Sequence, residues 1–167
     1  KRFGDMITVG LTGGICCGKS TISKTFIKHN IPIVDADIVA RQVVEPETNG
    51  WQSLHLFFGK DYFNDDQTLN RTKLGQLVFT DKKAMLALNY IMSGLISEEA
   101  SRQIKALHLL DNNIVVYDAA ILIENGNADK YRPLIVVSCP QVMQLERLMK
   151  RNHLTRVAAM SRINAQM

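Results

Sequence analysis

Long apolar runs are missing from this chain of 167 residues. No stretch approaches the roughly 18 uninterrupted apolar residues that a membrane-spanning helix needs. The opening residues, Lys1-Arg2-Phe3-Gly4-Asp5, lead straight into an apolar run of strand length and contain no signal-peptide core. Cysteine is scarce and odd in number: Cys16, Cys17 and Cys139. Two are adjacent, and none is spaced as a disulfide framework or a zinc site would be, which points to a reducing compartment. Internal repeats and low-complexity linkers are also lacking. A composition that is 46% hydrophobic and 22% charged excludes a disordered or fibrous chain. What remains is a soluble intracellular domain, expected in the cytoplasm.

Acidic residues are scarce in one region only. Residues 126–167 carry seven basic side chains (Lys130, Arg132, Arg147, Lys150, Arg151, Arg156, Arg162) against Asp129 and Glu146, so the net charge of +4 originates there. Such a segment attracts polyanions: nucleic acid, an anionic membrane or a phosphorylated metabolite. Tyr131 is the only aromatic residue after position 126, so stacking platforms for bases are absent, and neither nucleic acid nor membrane is an expected partner.

Strand and helix patterns alternate along the chain. Met6–Thr12, Ile31–Val34, Asn113–Ala119 and Leu134–Cys139 read as short buried strands. Apolar spacing over Lys19–His29 predicts a helix, and a further helix is expected to begin near Ile38. Residues 38–111 look mostly helical, with Leu74, Leu77 and Val78 on one face and Met85, Leu88, Ile91 and Met92 on another. This order predicts an α/β fold whose parallel sheet is covered on both faces. The helical excursion is too long for a simple crossover. The chain opens without methionine and stops inside a helical pattern, so the full protein is expected to continue past Met167.

One motif dominates the chemistry. Gly13-Gly14-Ile15-Cys16-Cys17-Gly18-Lys19-Ser20 fits G-x-x-x-x-G-K-[ST] between a strand and a helix, with Thr21 following. Glycines let successive N–H groups converge on phosphates, and the helix N-terminus adds partial positive charge. Lys19 is expected to reach the β- and γ-phosphates of a bound nucleotide, and Ser20 to ligate Mg²⁺. An N-K-x-D guanine-reading motif does not occur. Asp35-Ala36-Asp37 falls at the end of the second strand, where ligands bind in open parallel sheets. Either carboxylate could take the proton of an acceptor hydroxyl, or Asp37 could cap the next helix.

LTGGICCGKSTI (11–22), IPIVDADIVARQVV (31–44), LNRTKLGQLVF (69–79), YDAAILIENG (117–126) and PLIVVSCPQVMQLERLMKRN (133–152) together resemble the dephospho-CoA kinase family. The resemblance implies a three-layer P-loop kinase fold with a helical acceptor-binding insertion and a lid. The corresponding division is a single domain over 1–167, with a core at about 1–45 and 112–146, the insertion at about 46–111 and the lid at about 147–167. It implies phosphoryl transfer from ATP to the ribose 3′-hydroxyl of dephospho-CoA, with Asp37 as catalytic carboxylate ahead of Asp35. Arg41 and Arg71 would hold acceptor phosphates, Asp118 would supply a second acidic position, and Arg147 and Arg151 would close on ATP. This sequence departs from the family at Cys16 and Cys17, where glycine and serine are usual, at Ser93-Gly94 in place of His-Pro, and at Ala120 in place of proline. Cys16 puts a Cβ where the backbone benefits from glycine, and Cys17 is a candidate for oxidation. The alternatives are a kinase of another small acceptor, such as a nucleoside monophosphate, or a nucleotide-binding module without turnover.

Overall fold

The computed structural model describes residues 6–166. Its elements, in chain order, are β1 (Ile7–Gly13), α1 (Lys19–Lys28), β2 (Ile33–Asp35), α2 (Ala36–Gln42), α3 (Asn49–Phe58), α4 (Arg71–Thr80), α5 (Lys82–Leu109), β3 (Ile114–Asp118), β4 (Leu134–Val137), α6 (Gln141–Asn152) and α7 (Arg156–Asn164). The four strands form one parallel sheet in the order β2-β3-β1-β4. Among the described residues, no helix is long and apolar enough to cross a membrane.

The chain divides into two compact units, Lys1–Asp35 with Ile104–Met167, and Ala36–Gln103. The first holds the sheet. Its β-branched strands pack Val9, Leu11 and Val116 against Ile22 and Phe26 of α1, whereas Ile27, the third apolar residue at that helical spacing, is exposed. Leu11, Val115 and Val116 are fully buried, and each such side chain stabilises the fold by about 1.5–3 kcal/mol. Pairing of Gly13 with Val137 brings the ends of β1 and β4 side by side. A Cβ at Gly13 would stand 2.4 Å from the Val137 carbonyl oxygen, so only glycine fits there. Leu145 and Leu148 of α6 and Ala159 and Ile163 of α7 form a second core cluster.

Expected boundaries shift by one or two residues at all four strands and at α2. The strand read as Leu134–Cys139 ends at Val137, because Pro140, which lacks an N–H, opens α6 as its N-cap. The helix expected near Ile38 begins at Ala36, which places Asp37 inside the first turn rather than at the cap.

The second unit is helical. Thr48 accepts the Trp51 N–H at 3.1 Å to cap α3, and Asn70 accepts the Lys73 N–H at 2.9 Å to cap α4. On α5, Arg102 donates to both oxygens of Glu99 (2.6 and 2.7 Å) and Gln103 adds a third bond at 2.8 Å. Those bonds, with that from Arg102 the largest influence, hold the Glu99 carboxyl down at about 2 from an ordinary 4.5. A carboxyl lowered in the folded state contributes stability above its unfolded value and loses it as the pH falls through the folded one. Thermal melts should therefore show a gap between wild type and Arg102→Ala that is constant above about 4.5 and narrows toward pH 2. Arg102 is 69% exposed, so water screens the pair and keeps the effect small.

Candidate active site

The loop after β1 curls through a short series of backbone contacts. The Cys17 N–H donates to the Gly14 carbonyl at 3.1 Å, and the Thr21 N–H to the Gly18 carbonyl at 2.9 Å. Gly18 caps α1 with φ of 98°, a left-handed conformation that glycine adopts without cost. Cys16 also has a positive φ, 58°, a left-handed conformation that favours glycine. Its carbonyl is held by Arg147 Nη1 at 3.2 Å. Gln144 Nε2 donates to the Ile15 carbonyl at 3.0 Å, and the Ile15 N–H donates to Gln166 Oε1 at 2.6 Å. The loop is thus clasped from α6 and from the segment after α7, which keeps Cys16 in its strained conformation.

A cavity of about 670 Å³ opens over this loop, the size of a nucleotide-scale site. Cys17, Gly18, Ser20 and Thr21 line one side, and Arg147, Lys150 and Arg151 of α6 line the other. The structure therefore brings Cys16, Cys17, Gly18, Ser20 and Thr21 of the predicted loop and both predicted arginines to one cavity, while Gly13, Gly14, Ile15 and Lys19 lie outside its lining. Lys150 was missed, although its i+3 spacing from Arg147 on a helix is the signal for it. Phosphate groups match this lining, since guanidinium and ammonium donors face a helix N-terminus across it.

Lys19 forms an ion pair with Asp118 at the end of β3, and the Ser23 hydroxyl donates to the other Asp118 oxygen at 2.6 Å. Lys19 is 21% exposed and Asp118 only 4%, so the carboxylate is a buried charge whose compensation rests on Lys19 and Ser23. Asp35 is the register partner of Asp118 across β2 and β3, which puts the two carboxylate-bearing residues at adjacent strand ends. Among the described residues, no three His, Cys, Asp or Glu side chains cluster as a metal cage. Magnesium does not require one, because it is commonly held by one or two protein oxygens together with substrate phosphates and water. The Ser20 hydroxyl, exposed on the first turn of α1, and the two strand-end carboxylates are donors of that hard-oxygen type.

The other predicted residues belong to the helical unit. Asp37 is exposed in the first turn of α2, Arg41 lies in its last turn, and Arg71 opens α4. Partial burial, and then the charge of Arg41, lower the pKa of the Arg71 guanidinium from its usual range. The two arginines are therefore electrostatic neighbours, an arrangement suited to an oxyanion. Cys139, just ahead of α6, lies outside the lining of the cavity over the loop. Its thiol donates to Cys17 Sγ across 3.5 Å, and burial followed by that contact raises its pKa.

The family model for dephospho-CoA kinase matches residues 7–167. A dephospho-CoA kinase of Lactobacillus johnsonii is 41% identical over 159 residues, covering 95% of this chain and 80% of the relative. A crystal structure from Thermus thermophilus superposes with a TM-score of 0.81 at 26% identity, covering 98% of this chain and 82% of the other. A Campylobacter jejuni dephospho-CoA kinase, 22% identical with a TM-score of 0.64 over 95% of this chain and 78% of the other, shares the fold. With a family match over nearly its whole length and that level of identity to a curated relative, the chain belongs to the dephospho-CoA kinase family.

Proposed function

We propose that the chain transfers the γ-phosphoryl group of ATP to the ribose 3′-hydroxyl of dephospho-CoA, giving coenzyme A and ADP. The observation that carries this reading is the glycine loop and its facing Arg147, Lys150 and Arg151 around one cavity, in a chain of that family. In this reading the loop N–H groups and Lys19 hold the β- and γ-phosphates, and Thr21 lies beside them in the cavity lining. Arg41 and Arg71 hold the acceptor, while Asp35 and Asp118 pair in register at adjacent strand ends.

Asp37 accepts the proton of the 3′-hydroxyl as the new O–P bond forms and the bond to the β–γ bridging oxygen breaks, releasing ADP. Magnesium, held through Ser20 Oγ, supplies neutralisation of phosphate charge when bound. The helical region takes the acceptor, and residues 147–167 act as the lid that excludes water, a competing acceptor. Positioning and charge account for most of the acceleration, since phosphoryl transfer offers little covalent chemistry to a protein. The free cysteines support work in a reducing compartment such as the cytoplasm.

An acceptor panel tests the assignment. ADP release is measured with dephospho-CoA, AMP, dTMP and shikimate in turn. Strong turnover of dephospho-CoA alone is the expected result. Turnover of another acceptor with none of dephospho-CoA would overturn it.

A further inference from the structure

The cysteines around the phosphate loop have no part in the transfer itself. Pairing of Gly13 with Val137 sets the loops after β1 and β4 next to each other, and these loops carry Cys17 and Cys139. Their sulfurs are 3.5 Å apart, although 122 residues separate them in sequence. A disulfide needs a sulfur separation of about 2.05 Å, a movement on the order of one bond length. The two thiols also face different spaces. Cys17 is 8% exposed and borders the nucleotide cavity. Cys139 is more exposed and lines a separate cavity of about 500 Å³ bounded by Gln141, Gln144 and Gln166.

We propose that Cys17 and Cys139 form a reversible disulfide that opposes nucleotide binding in the phosphate loop. The oxidant is a small-molecule disulfide, RSSR. The more accessible Cys139 sulfur attacks one sulfur of RSSR, the RS–SR bond breaks, and the departing RS⁻ takes up the Cys139 proton. Cys17, adjacent and shielded from bulk oxidant, then attacks the Cys139 sulfur, expelling the second RS⁻, which takes the Cys17 proton. Two protein thiols become one disulfide, and RSSR becomes two RSH. Cys16, whose side chain packs toward the cluster between α6 and α7, is left as a thiol.

The bridge acts on nucleotide binding through the loop backbone. Cys17 lies in the loop and its N–H is tied to Gly14, while Gln144 donates both to the Ile15 carbonyl and to Cys17 Sγ at 3.2 Å. Drawing Cys17 toward Cys139 displaces that sulfur from Gln144 and re-aims the N–H groups next to it. By reciprocity, a ligand that requires the open loop opposes the bridge.

This inference rests on the nucleotide-site reading, and its test separates the two. The full chain is incubated with glutathione disulfide, with and without saturating ATP and magnesium, and its remaining thiols are alkylated. The bridged chain should take up one alkyl group where the reduced chain takes up three, and non-reducing peptide maps should join Cys17 to Cys139. ATP should slow the bridge, and bridging should weaken fluorescent-nucleotide binding by at least about tenfold, reversibly with dithiothreitol. Cys139→Ser should keep its reduced-state kinase activity and resist the oxidant. A bridge through Cys16, three alkylated thiols after oxidation, or a bridged chain with unchanged nucleotide affinity would overturn the proposal. Mapping does not depend on catalysis, so a chain that bridges and binds nucleotide but phosphorylates no acceptor refutes the kinase assignment and supports the bridge.

Discussion

Asp37→Asn is expected to lower kcat for dephospho-CoA by at least about 100-fold while ATP affinity stays nearly unchanged. Asparagine keeps the shape of the side chain and removes its capacity to accept a proton. Asp37 is exposed in the first turn of α2 and asparagine is close to it in size, so a thermal melt close to wild type should accompany the loss. Asp35→Asn is the control. Asp35 is half-buried at the end of β2 beside Asp118, and its replacement should disturb the sheet unit more than the chemistry. Steady-state kinetics with both substrates, together with nucleotide binding, separate the roles. Near-normal turnover in Asp37→Asn, or a greater loss in Asp35→Asn at equal stability, would assign the proton to the other carboxylate.

Lys19→Ala should fail in two ways at once. Removing the ammonium deprives the loop of its charge toward the phosphates, so ATP binding and turnover both fall, turnover by about 100-fold or more. It also leaves Asp118, 4% exposed, as a buried carboxylate without its countercharge. Breaking a buried pair from one side costs about 3–5 kcal/mol. Retention of the Ser23 hydrogen bond puts this case at the lower end, a fall in Tm of about 10 °C for a chain of this size. The double variant Lys19→Ala/Asp118→Asn removes the orphaned charge and should recover most of the stability with none of the activity. A double variant as unstable as Lys19→Ala would show that the lysine supports the fold by some route other than this pair.

The parts of this site that were legible in the sequence are local ones. A strand, the eight-residue glycine motif and a helix follow one another without interruption, and the spacing of glycine, lysine and serine is itself the geometry. Arg147 and Arg151 share a helix face for the same reason. Helical and strand periods likewise revealed the α/β order. What escaped detection depends on partners distant in the chain. Lys19 and Asp118 are 99 residues apart, Gln144 lies 129 residues from Ile15, and Gln166 lies 151 from it. No local period encodes such pairs, because the order β2-β3-β1-β4 makes them neighbours. Boundary errors came from local effects that apolar patterning does not record. Pro140 ended the strand before Cys139, and α2 took in Ala36 and Asp37 ahead of its first aliphatic residue. The resemblance to a family supplied roles for Asp37, Arg41 and Arg71 that their spacing alone did not.

The proximity of Arg41 and Arg71 has a consequence outside catalysis. Two guanidinium groups near enough for one to depress the pKa of the other repel each other, and a multivalent oxyanion that bridges them turns that repulsion into attraction. A ligand that binds the folded chain and not the unfolded one raises the population of the folded chain by mass action. With phosphorylated acceptor as that ligand, the helical unit opens less often when acceptor is plentiful, and proteases that cut open chains find it less often. On the proposed acceptor role of Arg41 and Arg71, resistance of the chain to proteolysis should then rise with the supply of acceptor.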